Sequence, residues 1–261
     1  MAEKIVVVKL GGSLLEDRIL RSRAIESLAM HRQDDSQLVL VHGGGKHVDA
    51  ALSRAGIPKR TVGGLRVTDT ETLAIVVSVL AGTVNKTLVA ELSKGGTPAA
   101  GIAGCDGSTL MAELHPPVEG VSLGCVGRIF GSDPTLMRAI LAAGLVPVIA
   151  SIAQGPGGSL LNVNADSAAA AVASSLGADS LIFLTDVEGF LGADGKLIPS
   201  MHRDEARRLI DQQEVNGGMR PKLGAALSAL DSGVGRVVIA GPHNHSHVLA
   251  GQKGGTHLVA A

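Results

Sequence analysis

Aromatic side chains are nearly absent from this chain of 261 residues, which has three Phe and neither Trp nor Tyr. That removes the stacking platforms on which single-stranded nucleic acids are held. It also leaves the core to Val, Leu, Ile and Ala. Cysteine is almost as scarce: Cys105 and Cys125 stand far apart with no CxxC, so neither a zinc site nor a disulfide framework is indicated. Charge is nearly balanced at a formal −1, which gives no general drive toward nucleic acid or anionic membrane. No uncharged apolar run approaches the roughly 18 residues of a membrane-spanning helix. Lys9 and the glycines after it break up the only early apolar run, so no signal peptide is read. A soluble, cytosolic protein with two reduced thiols is the expectation, with no nucleic-acid or membrane partner.

Glycine, by contrast, is abundant and clustered. Residues 4–13 (KIVVVKLGGS) read as a strand covered on both faces, running into a glycine turn. Glycines there let the backbone approach a ligand and turn N–H groups toward an anion, and Lys9 adds a compact positive charge. A second strand, 37–42, ends in Gly43-Gly44-Gly45, and a third cluster, 216–222 (NGGMRPK), ends in Lys222. The spacings are not GxGxxG, so a dinucleotide fingerprint is not supported.

Helix-period and apolar strand-like segments alternate throughout, which predicts an α/β fold with a largely parallel sheet. Helices are expected over 18–30, 47–55, 71–93, 134–143, 166–176, 203–213 and from the third glycine cluster to 232. Strands are expected over 99–102, 146–152, 180–185, 236–239 and 256–259, with a hairpin or lid over 118–129 and a turn at 194–195. A lobe boundary, if present, lies near 177–180. In residues 160–167 (LLNVNADS), Asn162, Asn164 and Asp166 alternate along an extended segment and so face one side. Helix capping accounts for one of the three, not for the set. His243, His245 and His247 would share a face only on a strand. Gly241-Pro242 argue instead for a solvated histidine loop before a short helix, and no metal ligands are assigned.

Taken together, KLGGS, VHGGGK, GLRVTD, NVNAD, LTDVEG and GGMRPK resemble the motifs of the amino-acid kinase family, most closely its N-acetyl-L-glutamate kinase branch. The resemblance runs essentially end to end in the same order. It implies a three-layer α-β-α sandwich with a mainly parallel central sheet. Residues 1–178 would form a lobe that binds the acyl amino acid and dimerises, and residues 179–261 a lobe that binds ATP, with Mg²⁺ held mainly by the nucleotide phosphates. Lys9 and Lys222 match the two lysines that stabilise the transferring phosphoryl group, and Asp166 the aspartate that organises them. Gly44, Gly45, Arg66 and Asn162 match positions that bind N-acetyl-L-glutamate. Gly11, Gly12, Asp186, Val187, Glu188, Gly189, Phe190, Leu191, Gly217, Gly218 and Met219 match phosphate- and nucleotide-binding positions. Arg220 departs from the family pattern, which usually has an apolar residue there. The sequence starts directly at its first strand, without the extra N-terminal helix of arginine-inhibited members, which implies the arginine-insensitive homodimeric type.

The chemistry accounts for these residue types. A carboxylate acceptor is already ionised at neutral pH and needs no general base. In-line phosphoryl transfer then needs positioning and cations at both ends of the transferring group, here Lys9 and Lys222. Asp166 between them would offset their repulsion, and Arg66 suits an α-carboxylate by two-pronged pairing. Two other readings stay open: a kinase of the one-methylene-longer acyl-aminoadipate, and a non-catalytic ligand sensor on the same fold.

Overall fold

Val6, Val7 and Val8 sit in a strand, Lys4–Leu10, that pairs in parallel on both sides, with Ser36–His42 and with Ser180–Leu184. A strand flanked by two others and covered on both faces has no solvated side, hence the unbroken β-branched run. The alternation shows in the packing. Val7 joins the core on one face of the sheet, with Val39, Val41, Ile149 and Phe183. Val6 and Val8 join the core on the other, with Leu38, Leu40, Val148 and Ile182. The computed structural model describes residues 4–31, 36–192, 195–215, 217–241, 243–249 and 251–259. Asp194 of the expected turn, Asn216 of the third glycine cluster and Pro242 lie outside them.

The central sheet has eight strands in the order Ser200–His202, Thr256–Val259, Arg236–Ala240, Ser180–Leu184, Lys4–Leu10, Ser36–His42, Val146–Ala150, Ala99–Ala103. Every neighbouring pair is parallel except Arg236–Ala240 with Thr256–Val259. Helices Thr135–Ala142, Ala165–Leu176 and Met219–Asp231 cover one face. Helices Arg18–His31, Asn85–Lys94 and His245–Leu249 cover the other. This is the expected three-layer α-β-α sandwich. With few aromatic residues to fill space, the layers close on small side chains: buried Ala168, Ala169, Ala170 and Ala173 meet Ala225, Ala226 and Ala229 in one core.

A four-stranded closed barrel of Met111–Leu114, Val126–Gly131, Ile152–Gln154 and Leu160–Val163 sits beside the sheet, and a two-stranded hairpin pairs Thr61–Val62 with Leu65–Arg66. The barrel corrects two expectations. The apolar run 146–152 is two strands, because the chain leaves the main sheet at Ser151 and enters the barrel at Ile152. Strand Met111–Leu114 went unread, as did Ser200–His202, since both are short and mostly lack alternation. Residues 118–129 hold two isolated bridges, Val118 with Val121 and Gly124 with Thr68, before Val126–Gly131 joins the barrel.

The expected long helix after Asp69 runs from Thr70 to Lys94, capped by the Asp69 side chain accepting from Thr72 N–H (2.8 Å). Its middle, Ser78–Val84, is π-helical, which propensity does not reveal. By length and composition this helix could cross a membrane. Here, however, it turns Val76, Leu80, Val84, Leu88 and Leu92 into the protein core. The histidine loop is also corrected. His245 and His247 belong to helix His245–Leu249, and His245 is buried, with Nε2 at 3.3 Å from the Arg23 carbonyl. Among the described residues no cluster of His, Cys, Asp and Glu suits a metal ion.

Candidate active site

Lys9 lies on the same side of its strand as Val7, two residues before it, and so faces helices Ala165–Leu176 and Met219–Asp231. Those helices each bring one ionisable group to meet it. Lys9 Nζ stands 2.8 Å from Asp166 Oδ1, and Lys222 Nζ 3.3 Å from the same oxygen and 3.5 Å from Oδ2. All three side chains are at most 10% exposed. Burial pushes the Asp166 carboxyl up, but the charges of Lys9 and Lys222 outweigh it and hold it below the usual carboxylate range. Burial, aided by the Lys9 charge, lowers the Lys222 ammonium. Two cations on one anion leave a single buried positive charge unbalanced. In a low-dielectric pocket such a surplus calls for an anion.

Asp166 and Lys222 both stand near the N-termini of their helices. Strand Leu160–Val163 ends before Asn164, which caps helix Ala165–Leu176 by accepting from Asp166 N–H (2.8 Å) and Ser167 N–H (3.0 Å). The capping reading holds for Asn164, and Asp166 lies in the first helical turn rather than on an extended segment. All of Asn162, Asn164 and Asp166 nonetheless line one cavity of about 270 Å³ with Lys9, Gly11, Gly12, Gly43, Gly44, Gly45 and Arg66. Lys222 sits near the start of helix Met219–Asp231, 5.6 Å from the Phe183 ring centre.

The cavity opens at the carboxyl ends of the central strands. The chain passes from Lys4–Leu10 to a neighbour on one side and later returns on the other, the switch point where such sheets take ligands. Gly11 leaves room for the Lys9 ammonium there: a Cβ at that position would lie 2.3 Å from Lys9 Nζ and displace it from Asp166. Gly44 caps helix Gly45–Arg54 and Gly218 caps Met219–Asp231, neither with a side-chain acceptor. Their first-turn N–H groups and helix dipoles favour negative charge nearby.

Arg66, on the short hairpin, is 13% exposed and held from behind by an ion pair with Asp49, while Nη2 donates to Gly45 O at 3.2 Å. Its Nη1 is buried without a hydrogen-bond partner. One edge of the guanidinium is thus anchored and a second donor is unspent, as a carboxylate partner requires. Asn162 Nδ2 donates to Thr68 Oγ1 at 3.2 Å. Val48, Val76, Leu80 and Val126 supply the apolar wall.

A larger cleft of about 1270 Å³ shares Gly64, Leu65, Val126 and Asn164 with this cavity and reaches Gly217, Gly218 and the exposed Arg220. Asp186 lies beside Gly12, where a Cβ would be 3.5 Å from its Oδ2, and its charge acts on Lys222. Val187 and Leu191 are exposed. Other residues of the matched loop are tied to segments distant in the chain rather than turned to the cleft. Glu188 accepts from Asn244 Nδ2 at 2.7 Å, the Phe190 N–H donates to Thr256 Oγ1 at 2.8 Å, and a Cβ on Gly189 would meet that oxygen at 2.6 Å. Met219 is half-buried against the core.

Sequence reading missed Asp49, Ser151 and His42. Asp49 and Ser151 belong to no motif, and His42, the last residue of a strand and part of VHGGGK, was given no role of its own. His42 is fully buried, and burial drives its imidazole down to about 4, with His47 and Lys86 adding to the effect against the Gly43 carbonyl. The unfolded chain takes up a proton below about pH 6.5 that the folded protein refuses, so stability is full above that pH and falls as pH drops toward 4. Urea unfolding is expected to lose about 2 kcal/mol from this residue between pH 7 and pH 5. The His42→Asn variant should lack that increment; equal pH slopes in the two proteins would contradict it.

A deep cationic pocket at the switch point of a parallel α/β sheet defines a protein that binds anionic groups for transfer or recognition. The family model of the amino acid kinase family matches residues 4–241, and the chain belongs to that family. It is 43% identical to an acetylglutamate kinase of Solibacter usitatus over 98% of this chain and 99% of the relative. It is 42% identical to one from Geobacillus kaustophilus, covering 90% and 89%. Among solved structures, it superposes with a TM-score of 0.86 on an N-acetylglutamate synthase from Neisseria gonorrhoeae complexed with coenzyme A and N-acetyl-glutamate. That pair is 28% identical, and this chain spans 60% of the synthase chain. A carbamate kinase from Giardia lamblia bound to AMP-PNP shares the fold, at a TM-score of 0.72 and 16% identity over essentially both chains.

Proposed function

We propose that this chain transfers the γ-phosphoryl group of ATP to the side-chain carboxylate of N-acetyl-L-glutamate, giving N-acetyl-L-glutamyl 5-phosphate in the second step of arginine biosynthesis. The observation that carries the reading is the buried Lys9–Asp166–Lys222 cluster, of which Lys9 and Asp166 line the same cavity as Arg66. Curated acetylglutamate kinases at about 40% identity over nearly the whole chain support it. A sensor would not need two desolvated lysines, so this cluster also argues for catalysis.

In this reading Arg66 holds the α-carboxylate, with Asn162 and the Gly44–Gly45 backbone holding the rest of the acyl amino acid. The acceptor carboxylate then points at Lys9. Gly11, Gly12, Gly217 and Gly218 approach the phosphates, and Asp186 through Leu191 with Met219 flank the nucleotide. Lys9 and Lys222 neutralise charge that grows on the transferring oxygens, and no residue has to remove a proton. Asp166 fixes both ammonium groups in advance. Mg²⁺ would be held mainly by the ATP phosphates and would supply further charge neutralisation there. That fits an Asp166 already engaged by two lysines.

The strands of residues 1–178 and of 179–261 meet where Lys4–Leu10 pairs with Ser180–Leu184, and we read the first part as the acyl-amino-acid lobe and the second as the ATP lobe. A cytoplasmic homodimer completes the reading. Ala99–Ala103 is an edge strand with four half-buried residues. Only 28% of the most apolar window of the adjacent Thr70–Lys94 helix is buried within one chain. Such an edge and face together suit a second copy.

The test is acyl-phosphate formation trapped with hydroxylamine, run with ATP and either N-acetyl-L-glutamate or the one-methylene-longer acyl-aminoadipate. Hydroxamate should accumulate with both, faster with the glutamate compound by about 10- to 200-fold, the range one methylene allows. A preference for the longer acid would reassign the substrate. No hydroxamate with either would remove the kinase reading.

A further inference from the structure

The glycine loop after Ser36–His42 has a support that no motif reveals. Asn85, at the end of the π-helical turn, is fully buried, and its Nδ2 donates to Val148 O at 2.9 Å and to Ile102 O at 3.3 Å. Those two carbonyls fix which end of the amide faces them, because Oδ1 in that place would oppose two acceptors. The same Nδ2 stands 3.1 Å from His42 Nε2; its two hydrogens are shared among these three acceptors, and a proton on Nε2 would oppose them, so Nε2 is the unprotonated, accepting nitrogen. The proton of the neutral ring then sits on Nδ1, which donates to Gly43 O at 2.9 Å. Gly101 leaves the room this needs: a Cβ there would lie 2.0 Å from Asn85 Oδ1.

The consequence reaches the cavity. In a trans peptide the C=O and N–H point in opposite directions, so tying back the Gly43 carbonyl sets the direction of the Gly44 N–H. Gly44 lines the cavity, and the π-helical turn packs on it directly: a Cβ at Gly44 would lie 2.8 Å from Leu80 Cδ2 and 3.3 Å from Val84 Cγ2. An i→i+5 turn is a costly local form, usually found where geometry is needed. Here it brings Leu80, Val84 and Asn85 to one loop.

We infer that His42 and Asn85 are positioning residues that clamp the Gly43 carbonyl and so aim the Gly44 N–H at the bound anion, with the π-helical turn as their buttress. This rests on the proposed kinase reading for which anion the loop meets. Two amide variants separate the roles of the ring. In His42→Asn the side-chain amide can stand where Nδ1 stands and keep the bond to Gly43 O. In His42→Gln the amide reaches Asn85 and loses that bond. Both remove the imidazole from the core, so a merely structural role predicts similar losses in stability and activity.

The positioning role predicts that His42→Gln lowers kcat/KM at least 10-fold more than His42→Asn does, with similar midpoints of urea unfolding. Equal kcat/KM in two folded variants would overturn it. If neither variant folds, ¹⁵N–¹H correlation of the wild-type imidazole at pH 7 decides. The neutral Nδ1–H form of His42 is expected, and an Nε2–H form or an imidazolium would overturn the clamp. Absence of acyl-phosphate formation by the wild-type protein would instead overturn the kinase reading, and with it the link from this loop to catalysis, whatever the tautomer.

Discussion

Replacing either Lys9 or Lys222 by Ala is expected to lower kcat by about 10²-fold or more while KM for both substrates moves much less. The cluster of two lysines and one aspartate carries one surplus positive charge. Removing either lysine leaves it neutral, with nothing left over for charge growing on the transferring oxygens. Lys→Arg should rescue poorly. A planar guanidinium is larger than an ammonium and needs space that Lys9 lacks, since its Nζ already lies where a Cβ on Gly11 would be, 2.3 Å away. Asp166→Asn should cost catalysis in the same range, because both ammonium groups lose the anion that places them. It should also lower stability, since two buried charges are left facing each other. The double variant Lys9→Ala/Asp166→Asn should cost less than the sum of the single losses, as groups in one network do. Steady-state kinetics on the four proteins checks this. Near-wild-type kcat in either lysine variant would place the chemistry elsewhere.

The second large effect belongs to Arg66. Arg66→Ala should raise KM for N-acetyl-L-glutamate by about 10- to 150-fold, the equivalent of roughly 1.5–3 kcal/mol for a charged hydrogen-bonded partner. KM for ATP should stay within a few-fold. The partnerless Nη1 motivates the expectation, because a guanidinium with a buried free donor is poised for an anion rather than spent on the surface. Asp49 holds the other side, so Arg66→Lys should restore little, a point charge being unable to span both. An unchanged KM for the acyl substrate would take Arg66 out of the site.

Much of this was legible in the sequence because the local and long-range signals agree. The β-branched run 5–8 demanded a strand buried on both faces, and the strand is central in the sheet. Gly after a strand, Lys beside Gly, and Asn-x-Asn-x-Asp before an alanine-rich helix each marked a residue that the fold brings to one cavity. Other parts were not legible, for physical reasons. Three-residue strands such as Ile152–Gln154 take their identity from partners distant in the chain, not from periodicity. The π-helical turn has no composition of its own, since Ser78–Val84 reads as ordinary apolar helix. Asn162, Asn164 and Asp166 were grouped correctly but for the wrong geometric reason. The strand stops at Val163, and a helical turn brings Asp166 to the cavity. The buried His245 shows that a histidine flanked by polar neighbours can still be a core residue when the helix beneath it supplies a carbonyl.

The central claim is that an oxygen of the substrate side-chain carboxylate attacks the γ-phosphorus of ATP at the Lys9–Asp166–Lys222 cluster. N-acetyl-L-glutamate labelled with ¹⁸O in that carboxylate, incubated with ATP and the wild-type protein, tests it by the isotope shift of the ³¹P resonance of the product. The account predicts an acyl phosphate in which phosphorus carries one ¹⁸O in the bridging position, formed at least 10²-fold more slowly by the Lys222→Ala protein. Phosphate released from ATP with no ¹⁸O bound to phosphorus would mean that water or another group is the acceptor, and would contradict it.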